Sequence, residues 1–570
     1  MAGLESDREI LAALTEVEHH EKFAYDFTLK EKGTVLGEDA EVDPIHEGLE
    51  FPTEEELFAL RRVSDAIPWT AYMIAVVELA ERFSVNFIQQ PLPPNSTTGA
   101  GGLNGQSGAL GRGQQMSTGL TTFYQFWSYG TPIAGAYIAD TYWGRYKTVC
   151  VCVAIAMLGH VIMIISAIPG IIGSDASVGL FTLSLIVTGI GAGGFKSNIS
   201  PLVAEQYRRT KMFISVTKKG ERVIVDPSLT TSRIYMYFYL FINIGALIGQ
   251  ISMVYAEKFV GYWLAYTLPT AVFLLSPLVL WYGHGKYSTS QPTGSVLATA
   301  VRVWRYAMRG RWSWNPIKTV RNLTADDFWE SAKPSKVIGE KPAWMRFDDN
   351  WVEEVRRGFK ACSVFLVAPD LFTHGLPNDI LSNLDPLALI IFIPLCDLVF
   401  YPALVRWRIN FKPLQKIAFG FYTGATAMVW AAVVQYCIYK TNPCGYYAGT
   451  CVDSNGNPLV SPLNVWIQSG SYILVAISEI LASITGLEYA FTKAPRNMRS
   501  LVMSMLLFTN AVASAIGEAF VSLSTDPLLV WNYGSVAVIC GTSGIMFWML
   551  VRKLNSEEDR LNNMAEGRFD

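Results

Sequence analysis

The chain has 570 residues, is 51% hydrophobic, carries only 16% charged residues and has a formal net charge of -3. A soluble protein normally carries about a quarter charged residues, so this composition excludes an ordinary soluble protein and indicates lipid-facing surface. The first 65 residues differ, because they hold 18 acidic residues against 6 basic ones. This predicts an acidic cytosolic tail over residues 1–65, and not a signal peptide or a nucleic-acid-binding arm.

Hydropathy divides the rest of the chain into membrane spans, since a helix needs about 20 apolar residues to cross a bilayer. A twelfth span should precede residue 386, but the apolar run from Ala361 to Pro369 is too short. The prediction is an all-α membrane protein with eleven full spans, at 67–88, 117–139, 148–170, 178–200, 234–256, 261–283, 386–406, 415–440, 462–491, 498–523 and 528–551.

Loop charge predicts the orientation of these spans. Residues 285–360 contain fourteen Lys and Arg residues against eight acidic ones, which places this loop in the cytosol by the positive-inside bias. Counting back six spans puts the N-terminus in the cytosol as well. The remaining predicted domains are an N-terminal bundle (66–283), a basic cytosolic linker (284–360), a C-terminal bundle (361–553) and a cytosolic tail (554–570).

Two six-helix bundles joined by a long basic loop are the plan of the major facilitator superfamily, in which the substrate site lies near the midplane between the bundles. The loop after the second span resembles that superfamily's signature, since Asp140 is followed by Gly144, Arg145 and Lys147. Membrane anchoring explains the two basic residues but not Asp140. We therefore expect this loop to lock the bundles together on the cytosolic side.

The first span contains three charged residues, Glu78, Glu81 and Arg82, which we call the charged stripe. Their spacing places them on one helix face. An ionisable side chain at a helix centre costs on the order of 2.5–3.5 kcal/mol, so this face should line a polar cavity. A carboxylate ionises more readily beside a guanidinium than away from it, and the stripe therefore predicts a proton-coupling device. A structural ion-pair network is the alternative.

Two further charges lie in other spans. Lys196 follows a glycine-rich run and is expected to pair with Glu78, Glu81 or a substrate carboxylate, unless it snorkels to the interface. Glu479 is centred in a later span and is expected to hold a substrate ammonium group. A cation in one bundle and an anion in the other suit a zwitterion, which is the charge pattern of a short peptide or an amino acid.

Other positions give weaker predictions. Asn243 is expected to be functional because an apolar span gains little from an unpaired amide, and Trp466 begins the span that carries Glu479. Cys444 and Cys451 bracket a polar loop, and their spacing suits a disulfide if that loop lies outside the cell.

At these residues the chain resembles the proton-coupled oligopeptide transporter family, and its fungal members most closely. The resemblance covers roughly residues 50–555. It rests on four segments in the family's order: Glu78-x-x-Glu81-Arg82-Phe83, Gly191-x-Gly193-Gly194-Phe195-Lys196-x-Asn198, Phe238-Tyr239-x-x-Ile242-Asn243-x-Gly245 and Gly486-Leu487-Glu488-Tyr489-Ala490-Phe491-Thr492-x-Ala494-Pro495.

The resemblance implies proton-coupled uptake of di- and tripeptides across the plasma membrane by alternating access. In the family, the residues matching the charged stripe carry proton coupling. The resemblance assigns Lys196 to that group or to the peptide carboxylate, and Glu479 to the peptide amino terminus. It assigns Asn243 to the peptide backbone and Trp466 to the shape of the pocket.

Two stretches depart from the family's pattern. After Phe83 the family continues with one residue and Tyr-Tyr-Gly, but here Ser84 leads directly into residues that resemble the exit of the first helix. Val367 runs almost directly into Leu371, although an entire seventh helix separates these segments in the family. The sequence therefore predicts a truncated or missing seventh helix and an impaired form, which altered splicing or an imperfect gene prediction would explain.

Two rival functions stay open. A nitrate or other small-anion symporter of the same superfamily would keep the charged stripe, although Lys196 opposite Glu479 favours a zwitterion. A membrane receptor for peptides that does not transport would fit the missing segments. An enzyme is not expected, because the glycines before Lys196 lie in an apolar span and not in a nucleotide-binding turn. The expected partners are small peptides, protons and the lipid bilayer, with no cofactor, metal or nucleic acid.

Overall fold

The computed structural model describes residues 48–88, 114–289, 296–311, 322, 327–336, 345, 347–353, 355–356, 384–407, 411–448, 451, 459, 461–494, 499–519 and 527–556. The chain forms two compact units. The smaller unit takes Met1–Arg62 with Arg209–Asp226, and the larger takes Val63–Arg208 with Pro227–Asp570.

The smaller unit is built on a β-hairpin. Helix α1 (Glu54–Ala59) begins with a capping box, in which the Thr53 backbone amide donates to the Glu56 carboxylate at 3.0 Å. Strands β1 (Arg62–Val63), β2 (Phe213–Val216) and β3 (Arg222–Val225) form a sheet in the order β1-β3-β2, with β2 and β3 antiparallel. Sequence analysis did not predict this sheet, because its strands are only two to four residues long.

The first half of the larger unit contains six membrane helices. Gly144, with φ +75°, makes the turn between the second and third, and glycine favours this left-handed conformation. The helices are α2 (Trp69–Ile88); α3 (Gln114–Gly130), continued by α4 (Pro132–Ile138) and a π-helical turn (Ala139–Trp143); α5 (Arg145–Ser166); α6 (Asp175–Ala204); α7 (Pro227–Phe259); and α8 (Tyr262–Phe273), continued by α9 (Leu275–Gly283).

Between the halves lie α10 (Val296–Ala307) and the short α11 (Asp327–Glu330). The second half contains α12 (Leu384–Leu395), continued through a π-helical turn (Cys396–Phe400) into α13 (Tyr401–Arg406); α14 (Pro413–Thr441); α15 (Ser469–Glu479), preceded by a 3₁₀ turn (Val465–Gln468) and continued through a π-helical turn (Ile480–Ile484) into α16 (Thr485–Lys493); α17 (Arg499–Ala519); and α18 (Leu529–Ser556).

Within these described ranges, eight helical segments are long and apolar enough to cross a membrane. Helices α2, α3 and α17 correspond in position to the other three predicted spans, and α17 is apolar but shorter over Arg499–Ala513. The prediction of a multi-pass helical membrane protein is confirmed. Helix α2 has 20 residues, about 30 Å at 1.5 Å per residue. The predicted defect in the seventh helix falls on residues 357–383, which lie outside the described residues.

Glycines bring α7 directly against α2. A Cβ atom at Gly245 would stand 2.4 Å from the carbonyl oxygen of Leu79, and one at Gly249 would stand 2.6 Å from that of Phe83. Small residues that let two backbones meet are typical of helix packing in membranes. The part of α2 that carries the charged stripe is therefore held by close contact with α7.

Candidate functional site

The charged stripe lies on α2 and is buried within the first half. The Nε atom of Arg82 donates to Glu78 Oε1 at 2.8 Å and stands 3.5 Å from Glu81 Oε2. Both glutamates are only 1% exposed. Glu78 Oε2 and both carboxylate oxygens of Glu81 have no hydrogen-bond partner in the described part of the chain. One guanidinium therefore serves two buried carboxylates, and Glu81 has the weaker share of it.

Two tyrosines of α3 surround the stripe. Tyr124 is 1% exposed and interacts electrostatically with Glu81. Tyr129 lies beside Arg82, and its ring centroid is 4.7 Å from the Nζ atom of Lys196. Lys196 is 3% exposed, so this cation–π contact is largely desolvated. Among the described salt bridges none joins Lys196 to a glutamate of the stripe. Lys196 contacts the Tyr129 ring and interacts electrostatically with Glu78.

Glu479, the last residue of α15, meets the first half through Tyr239 of α7. The Tyr239 hydroxyl donates to Glu479 Oε2 at 2.7 Å. One turn along α7, Asn243 is 6% exposed, and its Nδ2 donates to the Tyr239 carbonyl oxygen at 2.9 Å. Sequence analysis assigned no role to Tyr239. The signal for its role was its spacing of four from Asn243, which places both side chains on one face.

Other predicted residues lie elsewhere. Trp466 is 62% exposed and precedes Glu479 by thirteen residues, roughly 20 Å along a helix. Cys444 and Cys451 form a disulfide, with their Cα atoms 5.7 Å apart. The structure therefore gathers the charged stripe and Lys196 in one half and places Asn243 next to Tyr239 and Glu479, but it does not bring Trp466 to them.

A second group of charges joins the two halves at one end of the helices. Arg145, at the start of α5, donates to Glu205, and its Nη2 stands 3.3 Å from Asp140 Oδ1. Its Nε donates to Ser500 Oγ on α17 at 2.5 Å, and Arg499 Nη1 stands 3.8 Å from Glu205 Oε1. Burial raises the pKa of Asp140 to about 6, against the lowering influence of Arg145. We call these five residues the lock.

Two more polar contacts join the halves between the lock and Glu479. Arg233 Nε stands 3.1 Å from Asp397 Oδ2, and the Ser232 hydroxyl donates to Glu488 Oε2 at 2.8 Å. The polar contacts named here between the halves thus lie between the level of Glu479 and the lock. Sequence analysis predicted Asp140 and Arg145 for this region. It also predicted Lys147, which is exposed and lies outside the lock, and it missed the partners from the second half.

The helices form two halves. One half holds a buried acid–arginine group, and an acid of the other half contacts Tyr239 of the first. This is the architecture of a secondary transporter of the major facilitator fold. The structure is similar to the solved POT family transporter PepTSo, with a TM-score of 0.58 at 19% identity, over 86% of this chain and 99% of that one. It is also similar to an auto-inhibited POT family peptide transporter, with a TM-score of 0.55 at 18% identity, over 85% and 97%. These likenesses show the fold.

Sequence comparison gives the family. The model of the POT family, PTR2, matches residues 146–374 and 369–538. The chain is 39% identical to peptide transporter PTR_C of Candidozyma auris over 536 residues, covering 91% of this chain and 90% of the relative. It is 37% identical to peptide transporter PTR2 of Saccharomyces cerevisiae over 548 residues, covering 92% and 86%. The chain belongs to the POT family, a family of transporters and not of enzymes.

Proposed function

We propose that the protein imports di- and tripeptides together with protons across the plasma membrane, with its N-terminus in the cytosol. The observation that carries this proposal is the shortage of donors around the charged stripe, where Arg82 is shared by Glu78 and Glu81. A buried carboxylate without enough compensation is costly. A proton on Glu81 would remove that cost and leave Arg82 to Glu78 alone.

The charges of the site suit a zwitterionic substrate. Lys196 offers a buried cation in the first half, and Glu479 offers a carboxylate in the second. A peptide would present its carboxylate to one and its ammonium group to the other, with Asn243 Oδ1 as an acceptor for its backbone. A nitrate ion would leave Glu479 unused. Relatives from two yeasts are named peptide transporters, which supports the same substrate class.

The lock indicates which conformation of the transporter the structure represents. The linker that follows the first six helices is basic, and the positive-inside bias favours the cytosol for it and for the lock end. The described polar contacts between the halves then close the site toward the cytosol. We infer that transport alternates between this state and one in which the lock is broken, as expected for two bundles that rock around a fixed site.

Cellular uptake of a labelled dipeptide tests this function in cells that lack their own peptide importers. We expect accumulation that rises as the medium is acidified, stops with a protonophore, and is competed by unlabelled di- and tripeptides but not by nitrate. Peptide binding without accumulation would indicate a receptor instead. Accumulation that ignores the protonophore would contradict proton coupling.

The seventh-helix region affects how much of this activity the chain keeps. The family match falls into two segments that overlap at residues 369–374, where sequence analysis predicts a truncated or missing helix. We propose that this form transports peptides less well than a chain with a full seventh helix. Sequencing the transcript is the test, and an mRNA that encodes this chain colinearly, together with robust peptide uptake, would contradict the proposal.

A further inference from the structure

A half-buried acid outside the proposed transport site lies at the start of α12. Asp385 is the second residue of this helix, at the end of the second half that lies away from the lock. Its Oδ1 atom is shielded from solvent and has no hydrogen-bond partner among the described residues. The described part of the chain contains no salt bridge to Asp385.

Among the described residues, the neighbouring helices supply no cation to this carboxyl group. Helix α12 packs against α15 and α7. From α15, Tyr472 interacts electrostatically with Asp385, and Tyr472 in turn interacts with Tyr533 of α18. From α7, the nearest described ion pair to α12 joins Arg233 to Asp397. Asp397 lies twelve residues after Asp385, about 18 Å along a helix, so this arginine does not compensate Asp385.

A polar helix face leads from Asp385 toward the site. Tyr472 and Glu479 are seven residues apart on α15, which is two helical turns, so they share a face and stand roughly 10 Å apart along the axis. Gln468, just before α15, also has a buried side-chain oxygen without a described hydrogen-bond partner. Asp385 on α12 therefore lies beside Tyr472, and the face of α15 that carries Tyr472 ends at Glu479.

The position of Asp385 near a helix N-terminus suggests a capping role, because acidic residues there often accept hydrogen bonds from the first amides. However, no described hydrogen bond involves its carboxyl group. Its shielded oxygen Oδ1 has neither a described donor nor a described cation, and hiding an ionised carboxylate oxygen from water in this way is costly, whereas a neutral carboxyl group costs much less. The surroundings of Asp385 thus favour a bound proton over a structural charge.

We propose that Asp385 is a second proton-binding site, separate from the charged stripe, which takes its proton from the side of the membrane opposite the lock. The proton adds to a carboxylate oxygen to give a neutral carboxyl group, and it returns to water when the site releases it. No other bond changes. Only the transport consequence rests on the proposed function, because proton binding by Asp385 can be measured on its own.

Infrared spectroscopy of the purified full chain in lipid tests the binding directly, because protonated carboxyl groups and carboxylates absorb at different positions. Asp385→Asn should lose one titrating carboxyl band. Asp397→Asn is the matched control, since it removes an acid of the same membrane span that is already paired with Arg233, and it should keep that band. If Asp385→Asn does not fold, Tyr472→Phe should shift the midpoint of the same band. An unchanged band in folded Asp385→Asn overturns the proposal, and so does an unchanged midpoint in Tyr472→Phe.

Proteoliposomes test the transport consequence. Asp385→Asn should carry fewer protons per peptide than the unmodified chain, and Asp385→Glu should restore the ratio. A normal ratio in Asp385→Asn overturns the second site as a coupling site. An unmodified chain without proton-driven uptake would instead defeat the proposed function, and the infrared result would still decide whether Asp385 binds a proton.

Discussion

The charged stripe and the lock both combine arginine with carboxylates but are bonded differently. In the lock, Arg145 contacts two carboxylates and the Ser500 hydroxyl, and this hydroxyl comes from the other half of the protein. In the stripe, Arg82 contacts two carboxylates of its own helix, and the Glu81 carboxylate accepts no described hydrogen bond.

This difference separates two tasks. A charge group with partners across an interface holds that interface closed, because opening it leaves buried charges unpaired. A group that is short of donors within one half can instead change its protonation without first breaking the interface. The lock thus sets the conformation, and the charged stripe answers to protons.

Arg145→Ala should have the largest effect, because it removes the central residue of the lock. Removal of one partner from a buried ion pair costs about 3–5 kcal/mol, and every 1.4 kcal/mol is about a factor of ten. We expect the closed state to lose roughly a hundredfold or more in relative population. Spin labels on α5 and α17 would report the separation of their ends at the lock.

The matched control for this experiment is Lys147→Ala. Lys147 lies in the same turn of α5 but is exposed, with its Nζ 5.9 Å from the Trp143 ring centroid. It should leave the distance distribution unchanged. If Arg145→Ala also leaves it unchanged, the lock does not hold the halves together.

Glu479→Gln tests the acid that meets the first half across the site. A hydrogen bond to a charged group contributes about 1.5–3 kcal/mol, so affinity for a dipeptide should fall roughly 10- to 100-fold. An N-acetylated dipeptide, which has no ammonium group, serves as the matched ligand and should bind both proteins equally. An equal loss for both ligands would contradict the assigned role of Glu479.

Gly245→Ala tests the support of the charged stripe. Its new methyl group would meet the Leu79 carbonyl oxygen at 2.4 Å, and overpacking of this kind typically costs about 1–3 kcal/mol. We expect a lower melting temperature of the purified protein. Gly534→Ala on α18 is the matched control because no atom lies within 4 Å of its Cβ position, and equal melting temperatures for the two variants would exclude tight α2–α7 packing.

Ser500→Ala should have the smallest effect. It removes one neutral hydroxyl from the lock and leaves the ion pairs of Arg145 in place. The expected cost is about 1.5 kcal/mol, the lower end for a hydrogen bond to a charged group, because Arg145 keeps its two carboxylates. It should appear as a partial shift in the same spin-label distances. A shift as large as that of Arg145→Ala would mean that the contact between halves, and not the ion pairs, dominates the lock.

The sequence predicted much of this arrangement, for reasons that differ between regions. Hydropathy predicted eleven spans because each must hide its backbone from lipid, and eight described helical segments meet the length and hydropathy expected of a span. The cost of buried charge singled out Glu81, Lys196 and Glu479. The partners across the halves, Tyr239 and Ser500, are neutral residues common in any helix. Only the folded chain brings them to a charge, so no local pattern could identify them.

The most direct test of the central claim compares Glu81→Gln with the unmodified chain in proteoliposomes. Glutamine keeps the size of the side chain but cannot take up and release a proton. If Glu81 couples protons to transport, Glu81→Gln should still exchange labelled for unlabelled dipeptide across the membrane but should no longer accumulate dipeptide when a proton gradient is imposed. Proton-driven accumulation at the level of the unmodified chain would contradict this role of Glu81.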